Sequence, residues 1–156
     1  MLVAVGMLAG KKPWERFGYF LLAFGVWDLS YYGFLKLTLG WPVSLTDRDV
    51  LFLLPVPWIA PVLAPALIAL LMIVLGVVLV LRIARELPFR PQLLSWTLGG
   101  TATLVLLFSF MEDLPATLSG QIPTTYRYSF LFLGILMYII GFVIASRPRE
   151  REGSGA

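Results

Sequence analysis

Four stretches of this chain, residues 17–39, 58–81, 93–111 and 128–145, each run for 18 residues or more with almost no charge. Asp28 and Lys36 interrupt the first, and the other three contain no Asp, Glu, Lys or Arg. About 20 apolar residues are needed to cross a hydrocarbon core roughly 30 Å thick. A segment inside lipid must satisfy its own backbone, which leaves the helix or the closed barrel. A barrel would show alternating segments of about ten residues, and none occur. The sequence therefore predicts an all-α integral membrane helical bundle with four full transmembrane helices. Composition agrees: 59% of residues are hydrophobic and 13% charged, against about 25% charged in a soluble domain.

The first ten residues, MLVAVGMLAG, are apolar but too short to cross. A signal peptide carries its basic region before the apolar run, whereas Lys11, Lys12 and Arg16 follow this one. The segment reads as an N-terminal half-length or truncated helix. Residues 1–152 form a single transmembrane domain on this reading, with 153–156 (GSGA) a flexible tail.

Threading follows from the basic residues. Nine of the 12 lie in three places, Lys11, Lys12 and Arg16, then Arg82, Arg85 and Arg90, then Arg147, Arg149 and Arg151. Four alternating crossings put all three groups on one side. Basic loops stay in the cytoplasm, so the expectation is a multi-pass protein of the cell (inner) membrane with a cytoplasmic C-terminus. Segments 40–57 and 112–127 then face outward.

Small residues mark the packing faces. Gly18, Gly25, Gly33 and Gly40 recur at intervals of 7, 8 and 7, which at 100° per residue keeps them within an arc of about 80°. Ser95, Gly99 and Thr103 make a second seam, and Gly134 and Gly141 a third. Membrane helices approach closely along such faces. The 58–81 run, mostly branched aliphatics, is expected to be the most lipid-exposed helix, with a kink at Pro65. Before it, Ser44 with Asp47 and Thr46 with Asp49 fit helix-start patterns. These predict a short outer interfacial helix over residues 45–54, bracketed by Trp41 and Trp58.

Chemistry is sparse. With no cysteine and no histidine, thiolate metal sites, disulfides, cysteine nucleophiles and the commonest general base are all excluded. No cofactor is expected, and no catalytic or metal set is legible. Asp28 is the residue to examine, since a carboxylate near the bilayer midplane must be paired, hydrated or protonated. With Tyr31, Tyr32 and Lys36 it forms a candidate polar or ligand site. The competing reading is a packing clamp, Asp28 bonding the hydroxyl of Ser95, Thr97 or Thr101 on a neighbouring helix. Outside, Asp47, Arg48, Asp49, Glu112, Asp113 and Arg127 are expected to form an ion-pair cluster. The alternative there is a hard-cation site, although neither DRD nor MED has the spacing of a calcium loop. The basic residues are too scattered for a nucleic-acid surface.

The block WDLSYYGFLKLTLGWPVSLTDRDVLFLLPVPWIAPVLAP, residues 27–65, resembles an uncharacterised family of small bacterial inner-membrane proteins. That resemblance implies location and no activity. The expected function is a non-enzymatic membrane protein in contact with the lipid bilayer, packing against other membrane subunits or itself. The alternative is a small transporter or sensor built on Asp28, Tyr31 and Tyr32.

Overall fold

A computed structural model describes residues 1–52, 57–111, 119 and 125–147. Among these the chain forms helices α1 (Leu2–Ala9) and α2 (Pro13–Leu39) and strands β1 (Arg48–Phe52) and β2 (Trp58–Pro61). Helices α3 (Leu63–Ala84), α4 (Leu93–Met111) and α5 (Tyr128–Ala145) follow. Three of these helices, α3, α4 and α5, are long and apolar enough to cross a membrane. Helix α2 is longer, at 27 residues, but carries Glu15, Arg16, Asp28 and Lys36 and does not stand with them.

Helix α1 turns at Gly10 and folds back on α2. A Cβ on Gly6 would lie 2.6 Å from the Arg16 carbonyl oxygen, so only glycine admits the contact. Pro13 occupies the first turn of α2, where its missing N–H costs no bond. The Glu15 carboxylate accepts the main-chain N–H groups of Lys11 (2.7 Å) and Lys12 (3.2 Å). Those two bonds hold the Glu15 carboxyl below its ordinary range. A depressed folded value means that the bonds are intact above the unfolded pKa and weaken as pH falls through the folded one.

Helix α2 lies against α3 through glycine. A Cβ on Gly76 would sit 2.7 Å from the Gly18 carbonyl oxygen, and one on Gly25 would strike the carbonyl oxygen of Ala69. The sequence expectation that the 58–81 helix is the most lipid-exposed is therefore corrected. Of the three apolar helices α3 has the largest buried share, 28% against 22% for α4 and for α5. One glycine and one alanine facing the α2 stripe suffice to bring the backbones together. In the second pair, a Cβ on Gly134 would meet the Leu106 side chain at 2.6 Å, and Gly141 rests on Ser95 and Leu98 of α4. Thr103 Oγ1 and Tyr138 Oη share a hydrogen bond of 2.6 Å across the same pair. Gly33 and Gly99 behave differently: a Cβ on either would meet nothing within 4 Å. The one-sided pattern that named them therefore overstates the seam.

Residues 45–52 do not form the interfacial helix expected over 45–54, and residues 53 and 54 lie outside the described residues. Residues 48–52 are the first strand of an antiparallel hairpin, with Arg48 opposite Pro61, Asp49 opposite Ala60 and Val50 opposite Ile59. The Asp47 carboxylate accepts the N–H groups of Val43 (2.7 Å) and Ser44 (3.2 Å), as the acid of a helix start also does. The chain after it, however, pairs with residues 58–61 instead of coiling. The start of α3 is satisfied by this hairpin: the N–H of Val62 donates to the Asp47 carbonyl and that of Leu63 to the Leu45 carbonyl. Pro65 then falls in the first turn, among the N–H positions that have no intrahelical partner in any case. It is an entry residue, not the kink the sequence reading gave it.

The hairpin also joins the two helix pairs. Ala60 of β2, Ala64 of α3, Leu106 of α4 and Leu131 of α5 form one buried cluster, and Leu51, Phe110, Tyr126 and Tyr138 pack around it. At the opposite end of the helices, where Trp14 meets Phe89 and Trp96, an apolar crevice of about 550 Å³ separates the pairs.

Candidate functional site

The polar groups of α2 lie beneath the hairpin. Asp28 and Tyr32 are one helical turn apart. The Tyr32 hydroxyl donates to Asp49 Oδ2 of β1 at 2.7 Å, and Tyr32 is buried. Alternation between the paired residues Asp49 and Val50 makes this possible, since Asp49 turns toward α2 while Val50 is half exposed. The pairing slips at Leu51, between Val50 and Phe52. Leu51 enters the apolar cluster and Asp49 meets the tyrosine.

Asp28 makes no hydrogen bond among the described residues. The expected clamp to a neighbouring helix is absent. Thr97 Oγ1 donates to the Leu94 carbonyl within its own helix, and Ser95 Oγ, though buried, bonds nothing among the described residues. The geometric reason is that α2 packs on α3 and α1, so the hydroxyl-bearing helix α4 is not beside Asp28.

Tyr31 and Lys36 go elsewhere. Tyr31 is 47% exposed, stacked on Trp27 and edge-on to Tyr32. Lys36 Nζ donates to the carbonyl oxygen of Pro42 at 2.7 Å and to that of Gly40 at 3.4 Å. It thus ties down the C-terminal end of α2, where a cation is also favoured by the helix dipole. The structure therefore brings Asp28, Tyr32 and Asp49 together and assigns Lys36 to the helix end.

The expected outer ion-pair cluster divides in the same way. Asp47 serves the turn and Asp49 serves Tyr32. Arg48 forms no ion pair with either among the described residues, and its Nη1 is buried without a hydrogen-bond partner there. Glu112 and Asp113, the other expected partners, lie outside the described residues. Arg127 immediately precedes α5. The described residues contain no group of three or more acids that could hold a metal ion.

The chemistry open to the cluster is narrow. A phenol has one proton to donate, and that of Tyr32 is committed to Asp49. Asp28 must find a donor elsewhere, as a bound proton, a water or a cation. Sequence reasoning found Asp28 and Tyr32 but assigned Asp49 to helix capping. The signal it lacked was the hairpin, which alone turns Asp49 toward α2.

No protein-family model, curated protein or solved structure matches this chain.

Proposed function

We propose that this chain is a non-enzymatic integral membrane protein that acts as a packing or accessory subunit of a membrane assembly, or as a homo-oligomer. The observation that carries the reading is where the polar side chains go. Tyr32 to Asp49, Thr103 to Tyr138, Ser109 to Tyr126 and Lys36 to Pro42 are all bonds that join one part of the fold to another. Gly33, with no neighbour to accommodate, leaves bare backbone on α2 for a helix of another polypeptide. Purification in mild detergent tests the proposal: a stable assembly is expected, and Gly33→Leu should dissociate it without unfolding the chain. A monomer that behaves identically with and without that substitution overturns it.

On this reading α2 is a fourth crossing helix. Its 27 residues span about 40 Å at 1.5 Å each, with Lys12 and Arg16 at one end, Lys36 at the other and Asp28 between them. The basic loops and the C-terminus then lie in the cytoplasm of a cell whose inner membrane holds the chain. The absence of cysteine makes the topology simple to test. A single cysteine replacing Ser119 should react with an impermeant maleimide from outside, and one replacing Arg85 only after permeabilisation. The reverse labelling would overturn the threading.

One observation favours a second reading, a small transporter or sensor. Asp28 lacks a hydrogen-bond partner among the described residues one helical turn from the Tyr32–Asp49 pair, which is an arrangement suited to taking up a proton or cation. Trp41 packs on the Tyr32 ring and reports on the cluster. A pH-dependent change in its fluorescence that Asp28→Asn abolishes would support this reading. A response unaltered by Asp28→Asn counts against it.

A further inference from the structure

The crevice between the helix pairs has no place in the proposed function. Trp14 and Leu21 of α2, Leu75 of α3, Ser95 and Gly99 of α4 and Phe142 of α5 are among the residues that line its about 550 Å³. Cavities of roughly 300–1,000 Å³ are the usual size of ligand sites. We infer that it holds one acyl chain of an anionic phospholipid drawn from the leaflet next to the basic loops, with the headgroup at the crevice mouth.

Three observations converge on that occupant. The first is shape and polarity. A single turn of helix, 5.4 Å long and about 10 Å wide, already fills about 420 Å³, so a partner helix could insert little more than one turn. Water fares no better, because it needs two to four polar partners. The wall offers the Ser95 hydroxyl, whereas that of Tyr138 is already bonded to Thr103. A flexible hydrocarbon chain suits both the volume and the lining.

The second is Ser95 itself. Thr97, Thr103 and Ser109 of the same helix all return their hydroxyl protons to carbonyls of α4. Ser95, only 9% exposed, leaves its hydroxyl without a hydrogen-bond partner in the crevice wall. It stands in the first turn of α4, where main-chain N–H groups also lack intrahelical partners. An ester carbonyl or glycerol oxygen entering from the mouth would satisfy it.

The third is charge. Lys12 and Arg90 adjoin the lining residues Pro13 and Pro91, and both are exposed. Lys11, Arg16, Arg85 and Arg147 are exposed at the same end. Arg82 is consumed structurally, its Nη2 donating to the carbonyls of Pro88 and Ser146. Against these stand Glu15, held by main-chain N–H groups, and Glu86. An anionic headgroup is what such a rim attracts.

Trp14 and Trp96 line the crevice and serve as reporters. The full chain is reconstituted in phosphatidylcholine vesicles containing a small fraction of phosphatidylglycerol or phosphatidylcholine with brominated acyl chains, which quench tryptophan on contact. Brominated phosphatidylglycerol should quench saturably and well beyond brominated phosphatidylcholine. Unlabelled phosphatidylglycerol should relieve the quenching, and unlabelled phosphatidylcholine should not. Arg90→Gln should lower the preference about fivefold, the worth of one basic side chain beside an anionic headgroup. Gly99→Phe should abolish it by filling the crevice, since a Cβ there meets nothing within 4 Å. Equal quenching by the two headgroups in the wild-type chain overturns the inference, whatever the variants do. So does quenching that survives Gly99→Phe in a folded protein. A dimer lost in Gly99→Phe without selective quenching overturns it too, and assigns the crevice to a second copy.

Discussion

Gly76→Leu is expected to separate α2 from α3 and to destabilise the chain by about 3 kcal/mol, the upper end of the overpacking range. Gly25→Leu should do the same. Overpacking costs less when the neighbour is a flexible side chain that can rotate away. Here the obstacles are the carbonyl oxygens of Gly18 and Ala69, which belong to helical backbone. They yield only if a whole helix moves, and its contact with the neighbouring helix is then lost. Gly33→Leu and Gly99→Leu are the controls, compared in a detergent that keeps every variant monomeric so that loss of an assembly does not enter. Their Cβ positions meet nothing within 4 Å, so each should be neutral or stabilise by up to about 1 kcal/mol through helix propensity. Thermal unfolding of the four variants in one detergent, followed by circular dichroism, separates the pairs. If all four lose similar stability, close backbone approach is not what holds α2 to α3.

The same glycines show how far the sequence could be read. Charge-free runs located α3, α4 and α5, because the bilayer constrains segment length and polarity before any packing is known. Periodicity placed Gly18, Gly25 and Gly33 on one face, but a face wide enough to hold all three does not say how far along it a neighbour lies. Helix α3 covers Gly18 and Gly25 and leaves Gly33 bare. The hairpin was misread because Ser44, Thr46, Asp47 and Asp49 fit a helix start as well as they fit a turn. Long-range pairing decides between these. Asp47 bonds backward to Val43 and Ser44 just as Glu15 bonds Lys11 and Lys12 at the start of α2. It is the pairing of β1 with β2 that makes the segment a strand. The Asp49–Tyr32 pair was invisible for the same reason, since two residues 17 apart meet only if the chain doubles back between them.

Tyr32→Phe tests that pair directly. The 2.7 Å bond links α2 to β1, and β1 in turn supplies the Leu51 side chain to the apolar cluster. Removing the hydroxyl leaves the Asp49 carboxylate without that donor. A hydrogen bond to a charged group is worth about 1.5–3 kcal/mol in net stability, while polar contacts between membrane helices average about 0.6 and reach about 1.7. Tyr32→Phe is therefore expected to cost about 1.5 kcal/mol. Asp28→Asn alone should be neutral or stabilising, because it breaks no bond among the described residues and removes a charge that is costly within a membrane. Combined with Tyr32→Phe it should restore part of the loss, since an amide can donate where the phenol no longer does. A double-mutant cycle measures this as a coupling of about 0.5 kcal/mol or more between positions four residues apart. A Tyr32→Phe variant as stable as the parent would show that the hairpin is held by its apolar contacts alone, and purely additive effects would show that Asp28 does not act with Tyr32.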